Sequence, residues 1–250
     1  MATPNHPRAP QVACNDRPRC CSMADPTRGG PAPAVLPAVP ERYLAHLQGL
    51  LCDGRRKLLG LVGPPGAGKS TLALALLEAM TARQVVAQVV PMDGYHLANV
   101  ELQRLGRAGR KGAPDTFDSA GYVDLLRRLR DQPADEIVYA PEFRREIEEP
   151  IAGVIAVHAA TQLVITEGNY LLLDQGPWRH VAGLLDEVWY VEIDDDLRNE
   201  RLVSRHVRFG RSREAAVAWV AGTDEPNARL IGASKARAHL AFRWPGPSGH

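Results

Sequence analysis

Cysteine is scarce in this 250-residue chain: there are four, and three of them, Cys14, Cys20 and Cys21, fall within the first 21 positions. Neither these nor Cys52 has partner ligands at zinc-site spacing, so the expectation is free, reduced thiols rather than a disulfide framework or a zinc module. Long apolar runs are missing as well. No stretch approaches the roughly 18 residues of a membrane span. The first residues lack an apolar segment of signal type, which sets the expectation of a cytoplasmic protein with no membrane partner. Excess charge of either sign is also absent. A formal net charge of +1 gives no broad attraction to nucleic acid or anionic lipid, and neither is expected as a partner. Lysine is the scarcest charged residue: Lys57, Lys69, Lys111 and Lys235 stand against 26 arginines.

What remains is ordinary for a globular protein, with 45% hydrophobic and 24% charged residues, in a chain long enough to bury a core without staples. Residues 1–38 hold eight of the twenty prolines and no apolar period. They are expected to form a disordered tail, with Met23 an alternative start. Folding is expected over 39–250, opening with a helix in which Tyr43, Leu44, Leu47, Leu50 and Leu51 recur at helical spacing. Apolar runs of β type follow at Leu58–Val62, Val85–Val90, Leu163–Ile165 and Val188–Ile193. Helical patterns separate them, around Thr71–Ala82, Tyr122–Arg130, Trp178–Leu185 and Leu197–Phe209. Buried strands alternating with helices predict an α/β three-layer sandwich, a mostly parallel sheet with helices on both faces.

Between the first strand and its helix runs Gly63-Pro64-Pro65-Gly66-Ala67-Gly68-Lys69-Ser70, which fits the phosphate-loop pattern G-x-x-x-x-G-K-[ST]. Glycines let the backbone curl so that N–H groups converge on phosphate oxygens. The helix that follows, including Thr71, aims its positive end at the same anion. Lys69 can reach the β- and γ-phosphates and the Ser70 hydroxyl a Mg²⁺ ion. A compact ammonium fits where the chain's habitual arginine would not. Nucleotide binding is the reading, with ATP and Mg²⁺ as the expected cofactors.

In open parallel sheets ligands gather at the carboxyl ends of the strands. The second strand ends in Pro91-Met92-Asp93-Gly94-Tyr95-His96. Asp93 can accept a hydroxyl proton or help hold Mg²⁺ there, although Asp-Gly is also a common turn. The strand at Leu163–Ile165 runs into Thr166-Glu167-Gly168, and Glu167 is either the acid that steadies the metal or a solvated strand end. Arg198, Arg201, Arg205 and Arg208 share one helical stripe after Asp194-Asp195-Asp196. The stripe is either a solvated face or a lid over polyphosphate, with Gly210 as a hinge.

Taken together, these segments resemble the phosphoribulokinase, uridine kinase and pantothenate kinase superfamily of phosphate-loop small-molecule kinases. "PMDGYH", "RKGAPDTFDSAGYVDLLRRL", "VITEGNYLLL" and "RLVSRHVRFG" are similar to its strand-two aspartate segment, its Lys-Gly-x-Pro-x-x-[FY]-Asp segment with the following helix, its Glu-Gly strand and its arginine-bearing lid. "YAPEF", "EEPIAG" and "DEPNA" are shared with bacterial nucleoside or nucleotide kinase family and fructose-transport-associated kinase proteins. The resemblance implies a phosphate-loop fold with a helical lid at about 197–222, and transfer of phosphate from ATP to a hydroxyl of a small metabolite. Asp93 would be the base, Lys69 with Arg201 or Arg205 would act at the phosphates, and Ser70 and Glu167 at the metal. His96, Tyr139, Arg145 and Tyr170 are implied for the acceptor pocket, and Asn227 and Arg229 for the adenine side. Where pantothenate kinases place a histidine after a strand ending in Val-Tyr, here Val138-Tyr139, the chain has Ala140-Pro141-Glu142, so the acceptor is not carried over. The resemblance leaves a homodimer open. A nucleotide-gated regulatory ATPase with slow hydrolysis is the alternative, in which Asp93 and the lid would be idle.

Overall fold

The computed structural model describes residues 36–245. The expected tail up to residue 35, with Cys14, Cys20, Cys21 and Met23, lies outside the described residues. Leu36 packs against the core, so the folded part begins slightly before the expected boundary. Cys52 is free and exposed.

Five parallel strands form the central sheet: β1 (Lys57–Val62), β2 (Ala87–Val89), β5 (Leu163–Gly168), β6 (Glu187–Glu192) and β7 (Leu240–Arg243), in the order β2-β5-β1-β6-β7. Between β2 and β5 in sequence lies an antiparallel hairpin, β3 (Ile137–Arg144) and β4 (Glu149–His158). Side chains alternate across β1. Leu58 and Val62 enter one core cluster, whereas Leu59 and Leu61 enter the other, as the two-residue period of a strand requires.

On the Leu59 face pack α1 (Glu41–Leu50), through Tyr43, Leu44 and Leu47, and α2 (Lys69–Ala82), through Leu72, Leu76 and Met80. On the other face packs α4 (Ser119–Arg130), through Tyr122, Val123, Leu126 and Leu129. Helix, sheet and helix make the three layers that the alternating pattern predicts. Short α3 (Asn99–Arg104) lies between β2 and α4. After β6 come α5 (Asp195–Arg208), α6 (Arg213–Trp219) and, beyond a π turn at Val220–Asp224, α7 (Glu225–Gly232). Among the described residues no helix is long and apolar enough to cross a membrane.

Several boundaries differ from the periodicity. The helix expected over Trp178–Leu185 is instead two 3₁₀ turns, Gly176–His180 and Ala182–Leu184, where Gly176, Pro177 and Gly183 break any longer helix. Strand β2 is shorter than expected and β5 longer, since Glu167 and Gly168 pair in register with Leu61 and Val62. The hairpin and β7 escape the apolar pattern because the hairpin buries only Val138, Ala140 and Val157 and β7 only Phe242.

The hairpin sits against the turn after β2 so closely that a Cβ at Gly94 would lie 2.3 Å from the Pro141 carbonyl oxygen. Gly94 is therefore a contact requirement and not merely a turn former. Replacing it (Gly94→Ala) forces the hairpin off the turn, and we expect a stability loss of about 1–3 kcal/mol. Urea unfolding reads this as a lower midpoint; an unchanged midpoint would contradict the contact.

Candidate active site

Because all five central strands are parallel, the segments leaving β1, β2, β5 and β6 emerge at one edge of the sheet. They surround a cleft of about 1550 Å³. The phosphate loop forms its floor. Gly66 and Gly68 take φ of +83° and +87°, a region open to glycine at little cost. A side chain at Gly63 would meet the Val191 carbonyl oxygen at 2.7 Å. Pro65, Gly66, Gly68, Ser70 and Thr71 line the cleft, while Gly63, Pro64 and Ala67 are buried and shape the loop from within. Lys69 is buried, and its Nζ donates to the Gly63 and Pro64 carbonyls at 2.9 and 3.2 Å and to Asn169 Oδ1 at 2.8 Å. Burial pushes its ammonium below the ordinary lysine value, opposed by the charges of Glu167 and Asp93.

The Ser70 hydroxyl donates to Glu167 Oε1 at 2.7 Å. Burial, and then the Asp93 charge, raise the Glu167 carboxyl above its usual range. Glu167 is thus a buried strand residue turned to the loop, not a solvated strand end. Among the described residues no cluster of three or more His, Cys, Asp or Glu could cage a metal. An oxygen-only set of Ser70 and Glu167 suits Mg²⁺, which draws on one or two protein ligands, waters and substrate phosphates.

Asp93 lies on a 3₁₀ turn directly after β2 and faces the cleft. Among the described residues its carboxylate meets one side chain, Arg145, at 3.4 Å. His96, three residues on, lies between Phe117 and Phe143, with ring centroids at 4.0 and 4.6 Å. Its Nδ1 is 2.7 Å from the Asp93 carbonyl, and burial lowers its basicity.

The four arginines do not act as one stripe. Arg198 is 1% exposed and binds Asp195 and Glu225 at 3.1 and 2.5 Å, fastening α5 to α7. Arg201, Arg205 and Arg208 line the cleft. Burial and the neighbouring Arg145 charge lower Arg205, and among the described residues no carboxylate lies within ion-pair distance of it. Asp194 caps α5, accepting from the Asp196 and Leu197 amides.

Two residues implied for the acceptor pocket fall elsewhere. Tyr139 is 56% exposed on the outer face of the hairpin, because alternation turns Val138 and Ala140 inward in its place. Tyr170 is buried and donates its hydroxyl to the Gly112 carbonyl at 2.5 Å, so it braces the wall from behind. Asn227 lines the cleft, but Arg229 turns to Glu225 at 3.2 Å. Sequence reasoning missed Asn169 and Lys111, both of which line the cleft. Asn169 directly follows the Glu-Gly strand end, and Lys111 is one of only four lysines and opens the Lys-Gly-x-Pro stretch; those were the available signals.

Because the folded state disfavours protonated His96, its contribution to stability is full above the unfolded pKa of about 6.5. That contribution is lost as pH falls through the lowered folded value. We expect the melting temperature of the wild-type protein to fall between pH 8 and pH 5, and that of His96→Gln to fall less. Parallel curves would remove His96 as the cause.

The phosphoribulokinase/uridine kinase family pattern matches residues 58–245. A crystal structure from Silicibacter sp. TM1040, named a "putative fructose transport system kinase", is 39% identical with a TM-score of 0.75, covering 83% of this chain and 100% of that one. YggC of Escherichia coli is 34% identical over 188 residues, 74% of this chain and 77% of that protein. A Schizosaccharomyces pombe protein named a "putative uridine kinase" is 35% identical over 167 residues, 64% of this chain and 71% of the other. The chain belongs to the phosphoribulokinase/uridine kinase family of ATP-dependent small-molecule kinases.

Proposed function

We propose that the protein transfers the γ-phosphoryl group of ATP to a hydroxyl of a small metabolite, with Asp93 as the base. What supports this most is that Asp93 opens into the same cleft as Lys69, with a single side-chain partner, at 3.4 Å, among the described residues. A carboxylate so loosely held keeps its lone pairs for an incoming hydroxyl. The hydroxyl oxygen attacks the γ-phosphorus, its proton passes to Asp93, the bond to the bridging oxygen breaks, and ADP departs.

The loop N–H groups from Gly66 to Thr71 cradle the phosphates. Lys69 exchanges its carbonyl partners for phosphate oxygens, and Arg201 and Arg205 offset charge on the transferring group. Ser70 and Glu167 would hold Mg²⁺, which when bound supplies charge neutralisation at the β- and γ-oxygens. Residues 197–222 serve as the lid, with the turn at Gly210, φ +96°, as its hinge. His96 and Arg145 belong to the acceptor side.

Replacing the base with an isostere (Asp93→Asn) is expected to lower kcat by about 10²–10⁴ and to leave the KM for ATP within about twofold. Lys69→Ala lowers kcat and raises that KM. ADP release measured with and without acceptors reads both. Turnover in Asp93→Asn equal to wild type removes Asp93 from the role, and a slow rate that no acceptor raises favours a nucleotide-gated ATPase.

A further inference from the structure

The side of the cleft beyond Asp93 holds a second lysine that the phosphoryl-transfer scheme does not use. Lys111 follows a short 3₁₀ turn at Ala108–Arg110, and its side chain is 14% exposed. Its Nζ donates to Asn99 Oδ1 at 2.7 Å and to the Glu148 carbonyl, and stands 5.1 Å over the Phe143 ring. The nearest carboxylate, that of Glu148, is 3.9 Å away and more than half exposed. The Glu149 carboxylate is engaged by the Asn99 amide at 3.0 and 3.2 Å. The ammonium is therefore held mainly by neutral oxygens. Burying a cation on such terms is costly unless an anion joins it. In a chain with 26 arginines, a lysine here provides a point charge rather than a guanidinium fork.

Arg145 extends the positive side to Asp93 itself. Between them stands His96. The Asp93 carbonyl can only accept, so the 2.7 Å contact puts the ring hydrogen on Nδ1 and leaves Nε2 as an acceptor. Two acceptors for hydroxyl groups, Asp93 and His96 Nε2, thus border two donors with full positive charge, Lys111 and Arg145, in one cleft.

We infer that the phosphoryl acceptor is a small hydroxylated anion: its hydroxyls meet Asp93 and His96, and its carboxylate or phosphate meets Lys111 and Arg145. This rests on the kinase reading above and narrows its substrate class. A neutral ketose or nucleoside leaves the half-buried ammonium with no closer counter-charge than the exposed Glu148 carboxylate at 3.9 Å.

The test compares acceptors in matched pairs, D-glucose with D-gluconate, D-fructose with D-fructose 6-phosphate, and uridine with uridine 5′-monophosphate, by ATP-dependent ADP release at fixed ionic strength. The charged member of at least one pair is expected to show a kcat/KM at least tenfold above its neutral partner. The pair that responds separates a carboxylate from a phosphate. With that acceptor, Lys111→Met raises its KM at least tenfold and leaves the KM for ATP unchanged. Arg145→Gln, altered at a largely exposed side chain, gives a smaller loss in the same direction and serves if Lys111→Met does not fold. Neutral members turned over as well as or better than charged ones overturn the inference while leaving the kinase reading intact. A charged acceptor indifferent to both substitutions also overturns it. ADP release raised by no member of the panel counts against the inference and the kinase reading together.

Discussion

Burying the Lys69 ammonium sets the terms for much of the cleft. A cation removed from water needs close oxygen partners, and the loop supplies them by turning the Gly63 and Pro64 carbonyls inward, with Asn169 completing the set. That curl needs positive φ at Gly66 and Gly68, and it is held from three sides. Strand β6 approaches Gly63 through the Val191 carbonyl, β1 and α2 fix the loop ends, and the backbone of Arg198 on α5 lies 3.2 Å from where a Gly66 side chain would begin. At Gly63 and Gly66 the neighbours leave no room for a side chain, although glycine is by itself the most permissive residue. The buried ion pair of Arg198 with Glu225 ties α5, and hence the wall pressing on Gly66, to α7.

The second constraint is topological. A parallel sheet sends every strand's exit to one edge, so residues from positions 63 to 169 meet without a long-range pairing of their own. The Ser70–Glu167 hydrogen bond joins the exits of β1 and β5, and the Asp93–Arg145 contact joins the exit of β2 to the hairpin. The hairpin lies outside the central sheet, and through Pro141 it packs directly on Gly94 in the turn that carries Asp93.

These features were unequally legible in the sequence. The phosphate loop, the parallel sheet and the acids at positions 93 and 167 could be read because strand ends, glycine spacing and helical periods are local signals. The hairpin could not, since it turns few apolar residues to the core. The misassignment of Tyr139 has the same origin: a single strand's pattern does not say which of its faces meets the cleft, and here Val138 and Ala140 took the inner one. The arginine series was legible as a stripe but not as a division of labour, because the partner that buries Arg198 comes from α7, 27 positions away. Lys111 carried its rarity and its place in the Lys-Gly-x-Pro stretch as signals, but not its partners, a carbonyl and a side-chain amide contributed by Glu148 and Asn99.

The central claim is that one cleft brings the terminal phosphate of ATP between the Lys69 ammonium and the Asp93 carboxylate. A crystal structure with Mg²⁺ and a non-hydrolysable ATP analogue tests it most directly. The account predicts Lys69 Nζ released from the Gly63 and Pro64 carbonyls onto a β- or γ-phosphate oxygen, with the γ-phosphate facing Asp93. An analogue bound with Lys69 still on those carbonyls, or with its terminal phosphate directed away from Asp93, would contradict it.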